Sequence, residues 1–98
     1  MANLIQATPD ELRQNGSSFI NYSGETQQIV QATQNLTNQM AEMWKGAASE
    51  AFVTQYNDLK PTMDKFVQLL ADIGTQVQSV AQALEDADNE IAGQIGVN

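Results

Sequence analysis

Cysteine and histidine are both absent from the 98-residue chain. Their absence removes the usual soft ligands for zinc or copper, any thiol nucleophile and any disulfide. Basic residues are scarce: four lysines and arginines face twelve carboxylates, for a formal charge of -8. Such a surface repels phosphate backbones, and no basic patch interleaved with aromatics offsets that repulsion, so nucleic acid is excluded as a partner. No run approaches the roughly 20 apolar residues that span a bilayer. The polar faces are not basic enough to attract anionic lipid, so stable membrane insertion is not expected either. The first residues, MANLIQATPDEL, have neither a basic segment nor an apolar core, so a cleavable signal peptide is not expected. Read from composition alone, the chain is one cytoplasmic domain spanning 1–98.

What the chain does have is helical periodicity. Thr8, Pro9 and Glu11 form a capping box with proline at the first helical position, and Asp10 and Glu11 suit the positive end of a helix. A 3-4 spacing then runs through Leu12, Asn15, Phe19, Tyr22, Thr26, Ile29, Thr33, Leu36, Met40 and Met43, weakened where it is polar. Beside it lies a stripe of mostly small residues, Gly16, Ser23, Val30 and Thr37, ending in Trp44. These let another helix approach closely.

A second seam is apolar throughout: Phe52, Tyr56, Leu59, Met63, Phe66, Leu70, Ile73, Val77, Val80, Leu84, Ala87 and Ile91. Val53, Val67, Gly74 and Ala81 widen one flank. Pro61 removes one backbone hydrogen bond and is expected to bend this helix rather than break it, because the seam keeps its phase. Gly74 is expected to admit a neighbour. The spacing predicts helices over about 9–43 and 47–91, a turn at 44–46 and a flexible tail at 92–98.

Gly46 is the sole glycine between residues 25 and 73 and stands where one seam ends and the next begins. A glycine there ends a helix in a left-handed conformation at little cost. The fold class is therefore all-α: an antiparallel helical hairpin with Trp44 packed across the bend. The hairpin and dimer core is assigned to Leu12, Phe19, Ile29, Leu36, Met40, Phe52, Tyr56, Leu59, Met63, Phe66, Leu70, Ile73, Val77, Val80 and Leu84. One seam leaves the widened stripes uncovered, and a homodimeric four-helix bundle is the economical way to bury them.

No catalytic constellation emerges. Carboxylate pairs such as Asp64 with Asp72, or Glu85 with Asp88, read as a solvated acidic face rather than a cleft or a metal site. The chain is read as non-enzymatic, with no cofactor and no metal.

With Trp44-Lys45-Gly46 between two helices in a chain of about 100 residues, the pattern resembles the WXG100 family of ESAT-6-like small proteins. The T-P-x-x-L start at Thr8–Leu12 and Ala48-x-x-x-Phe52 add to the likeness, which covers essentially the whole chain. It implies a helical hairpin that dimerises into a four-helix bundle, of the homodimeric type found in Gram-positive Bacillota. It also implies export through the type VII (ESX) secretion system without a cleavable signal, replacing the cytoplasmic default with a secreted location reached from the cytoplasm. The implied partners are the chain itself, the type VII secretion ATPase or related machinery, and a larger co-secreted helical protein. The family's Y-x-x-x-D/E signal finds no tyrosine after Tyr56. Its broader form, hydrophobic-x-x-x-D/E-x-x-hydrophobic-x-x-x-hydrophobic, is met by Leu84, Asp88, Ile91 and Ile95. The implied role is an extracellular protein-interaction module of virulence-factor type. The alternatives are an adaptor for larger helical substrates and, of another class, an intracellular structural coiled coil.

Overall fold

A computed structural model describes the backbone of residues 8–96 and the side chains of residues 8–93. It contains two helices, α1 (Pro9–Met43, 35 residues) and α2 (Ala47–Gly96, 50 residues). The capping box closes the start of α1: the Thr8 hydroxyl accepts from the Glu11 N–H (3.1 Å) and the Glu11 carboxylate accepts from the Thr8 N–H (3.2 Å). Asp10 and Glu11 occupy the first turn, where the helix dipole favours them.

The helices run antiparallel. Arg13 reaches Glu85, Ser23 reaches Val67 and Thr33 reaches Tyr56, so one number falls as the other rises. α2 is continuous through Pro61, which therefore does not break it. It also stays helical to Gly96, five residues beyond the end expected from the seam. The sequence has no proline after Pro61, and Gly93 alone does not stop a helix flanked by Ile91, Ala92 and Gln94. The expected loose segment is thus helical from 92 to 96; Val97 and Asn98 lie outside the described residues.

The small-residue stripe is the inner face of α1: Gly16, Ser23, Val30 and Thr37 are its buried residues. Facing them, α2 turns inward Val53, Tyr56, Lys60, Met63, Val67, Leu70, Gly74, Val77 and Ala81, each buried or half-buried. Gly16 passes close against Gly74. A Cβ on Gly74 would stand 2.5 Å from the Gly16 carbonyl oxygen, and one on Gly16 would stand 2.7 Å from that of Gly74. Besides the Arg13–Glu85 pair, further polar ties cross the seam. Ser23 Oγ donates to the Val67 carbonyl (2.7 Å), the Thr33 and Tyr56 hydroxyls share a hydrogen bond (2.7 Å), and Gln78 Nε2 donates to Ser17 Oγ (3.2 Å). The Thr33 hydroxyl also donates to the Val30 carbonyl (2.8 Å), so the threonine that interrupts the apolar seam is satisfied.

The residues assigned to the core divide. Leu12, Phe19, Met40, Phe52, Tyr56, Met63, Leu70, Ile73 and Val77 are half-buried. Ile29, Leu36, Leu59, Phe66, Val80 and Leu84 are exposed in the single hairpin, so they do not form its own core. Two seams at heptad spacing place one column between the helices and swing the neighbouring column outward. Only Val30 and Ala81 are buried apolar residues among those described.

Candidate functional site

Three features are candidates for function: the bend, the apolar face and the end of α2. At the bend, Trp44 closes α1 with an extended backbone, and its N–H donates to the Met40 carbonyl at 2.8 Å. Its ring lies against Phe52, centroids 6.0 Å apart and planes inclined by 41°. Trp44 is still 43% exposed, so it lies across the bend without being enclosed by it. Gly46 has φ +126°, the positive value expected of it, and nothing lies within 4 Å of the place a Cβ would occupy. Glycine is required there for backbone conformation and not for space. Lys45, Ser49, Glu50 and Val53 join Trp44 and Gly46 around an open groove.

The apolar face follows from helical phase. On α1 the exposed Tyr22, Ile29 and Leu36 each precede a buried residue, Ser23, Val30 and Thr37, and Met43 precedes Trp44 at the same interval. On α2 the exposed Leu59, Phe66 and Val80, with half-buried Ile73, each precede an inward one: Lys60, Val67, Ala81 and Gly74. In an antiparallel pair a step of one residue back from the seam leads both helices to the same side of the layer. These eight residues therefore share one broad face, and the Ile29 side is 63% exposed at its centre. An apolar face of this extent is unusual on a lone domain.

At the far end of α2, Leu84, Asp88 and Ile91 lie on successive turns, all exposed; the Ile95 side chain lies outside the described residues. Inward of them, Arg13 of α1 gathers Asp10 (Nη1 to Oδ1, 2.9 Å), Gln82 (Nη2 to Oε1, 3.4 Å) and Glu85. Its pKa is held above the ordinary arginine value, chiefly by the hydrogen bond to Glu85. Asp64 pairs with Lys60 at 3.0 Å, as expected of a solvated face. Among the described residues no cluster of carboxylates is placed to hold a metal ion, and no helix is long and apolar enough to cross a membrane.

The model of the WXG100 family, proteins of 100 residues with WXG, matches residues 4–89. This chain belongs to the WXG100 family. It is 40% identical to the YukE protein of Bacillus subtilis over 95 residues, covering 97% of this chain and 98% of that one. It is 30% identical to the type VII secretion system extracellular protein A of Staphylococcus aureus, covering 96% and 97% of the two chains. Its fold matches the crystal structure of EsxA from Geobacillus thermodenitrificans with a TM-score of 0.82 at 34% identity, covering 91% of this chain and 97% of that one. It resembles the non-enzymatic secreted proteins of the WXG100 family, which is associated with the type VII secretion apparatus and whose members leave the cell without a cleavable signal peptide. The sequence signal of the WXG100 family lies at the bend. The cross-helix ties Ser23–Val67, Thr33–Tyr56 and Arg13–Glu85 have no local signature and are visible only once the helices are paired.

Proposed function

We propose that this WXG100 protein is an exported, non-catalytic interaction module that works as a homodimeric four-helix bundle. The observation that carries the reading is the shared apolar face of Tyr22, Ile29, Leu36, Met43, Leu59, Phe66, Ile73 and Val80. A second copy, turned antiparallel, offers the same face in return, so a two-fold pair buries both at once. The face runs over residues 22–43 of α1 and 59–80 of α2, which suits helix-on-helix packing better than a pocket for a small ligand. The stripe Leu84, Asp88, Ile91 and Ile95 is the element through which the secretion machinery recognises the chain, and the Trp44-Lys45-Gly46 bend sets the direction in which the two helices meet.

Light scattering tests the assembly. At micromolar concentration the parent should give about twice the 10.7 kDa chain mass, whereas Phe66→Lys should shift it to the monomer. A parent that is monomeric and fully helical would overturn the reading. A stable complex with a larger helical protein in place of the self-paired form would move the function to that of an adaptor.

A further inference from the structure

The two helices do not end together. α1 begins at Pro9, and its first turns are fixed by the Thr8–Glu11 capping box and by the Leu12 N–H, which donates to the Thr8 carbonyl at 3.0 Å. Arg13 projects from this fixed turn and takes hold of Gln82 and Glu85 on α2. Among the described residues these are the outermost side-chain hydrogen bonds between the helices; the next one inward joins Gln78 to Ser17. α2 then continues for the eleven residues from Asp86 to Gly96 beyond the last tie, roughly 16 Å of helix.

That overhang is poorly equipped to stay helical alone. A helical segment shorter than about 12 residues is marginal in water without packing. Asp86, Asp88 and Glu90 place three carboxylates near the negative end of the helix dipole, and no basic residue occupies the last turn to offset them. Arg13 is the sole basic side chain before Lys45 in a chain of charge -8, so no other side chain of α1 supplies opposite charge there.

We propose that Arg13 is a latch that sets how far α2 remains helical, and so the form in which Leu84, Asp88 and Ile91 are offered to a partner, the second half resting on the recognition role given to that stripe above. With the latch closed, α2 is anchored up to Glu85, less than one turn before Asp88, and the stripe keeps its helical spacing. With it open, the last cross-helix tie retreats to Gln78, and Leu84 and Asp88 lose their fixed separation.

Hydrogen exchange by mass spectrometry on the full chain reads the latch directly. In Arg13→Gln, amides over residues 82–93 should exchange about two- to five-fold faster, the range that a partly exposed ion pair supports. Amides over residues 60–75 should be unchanged. Glu85→Gln should act in the same direction, and the paired exchange Arg13→Glu with Glu85→Arg should recover most of the protection. Unchanged exchange in both single variants, acceleration spread evenly over both helices, or no recovery in the charge-reversed pair would each overturn the latch. Export of Arg13→Gln and Asp88→Ala is measured alongside. Normal export of Asp88→Ala with accelerated exchange in Arg13→Gln would retain the latch and reject the recognition role of the stripe.

Discussion

Gly16 and Gly74 meet backbone to backbone: a methyl group on either would stand within 2.7 Å of the other's carbonyl oxygen. The two helices can approach closely there because neither has a side chain in the way. The larger side chains are displaced to the flank, which is why so much apolar surface stays outside the hairpin.

This contact separates two substitutions that helix propensity treats alike. Gly24 is also within α1, but a Cβ there meets nothing within 4 Å. Gly24→Ala should stabilise the protein by about 0.5–1 kcal/mol. Gly74→Ala gains the same propensity but meets backbone atoms that cannot swing aside, and should destabilise by about 1–3 kcal/mol. Urea unfolding of the two variants checks this; a Gly74→Ala protein as stable as the parent would refute the close approach.

At the bend, Gly46→Ala meets no clash, but its φ of +126° is one that a residue with a Cβ rarely adopts. The expected loss is about 1–3 kcal/mol, larger for Gly46→Val because a β-branched side chain is more restricted. Thermal melts followed by circular dichroism give the ordering, which should run parent, alanine, valine.

The Thr33–Tyr56 pair is a hydrogen bond between two half-buried hydroxyls. Tyr56→Phe and Thr33→Val each remove it, and a double-mutant cycle should return a coupling of about 0.5–1.5 kcal/mol. A coupling of zero would mean that the two hydroxyls bond to solvent instead.

Phe66 is 51% exposed in one hairpin. If a second copy covers it, Phe66→Ala should cost about 2–5 kcal/mol, and the parent melting midpoint should rise with protein concentration. A small effect together with a concentration-independent melt would place Phe66 in solvent.

Much of this arrangement was legible beforehand, and the remainder was hidden for identifiable reasons. Gly46 marked the reversal because no other glycine interrupts either seam nearby. The stripe Gly16, Ser23, Val30 and Thr37 marked the inner face because close helices need small residues. The apolar seam, however, consists of two neighbouring apolar columns, and periodicity cannot say which of them turns inward. Phe66 and Leu70 look equivalent in the sequence, yet one is exposed and the other half-buried. The Arg13–Glu85 tie joins residues 72 positions apart, so no local pattern announces it. The end of α2 lies five residues past Ile91, the last residue of the seam, because a helix needs no apolar seam to continue where nothing supplies a stop.

Removal of residues after Ile91, or Asp88→Ala, should reduce export while leaving the hairpin and its association intact, because both changes lie beyond the last cross-helix tie. Quantifying each variant in cells and in the medium, with circular dichroism of the purified protein, separates the two effects. Unimpaired export of both would reject the stripe as a signal; lost export of a fully folded Trp44→Ala protein would move recognition to the bend.

The hairpin is a single layer, with extents of 79 × 24 × 16 Å. Where α1 and α2 lie side by side the rod keeps one narrow outline, and beyond Glu85 it thins to α2 alone. A conduit wide enough for the two helices side by side is wide enough for all of it, and passage lengthwise breaks no backbone hydrogen bond. For the export proposed above, bore then decides the mechanical work on a single hairpin: a narrower channel has to unzip the Gly16–Gly74 seam, and a wider one leaves it untouched.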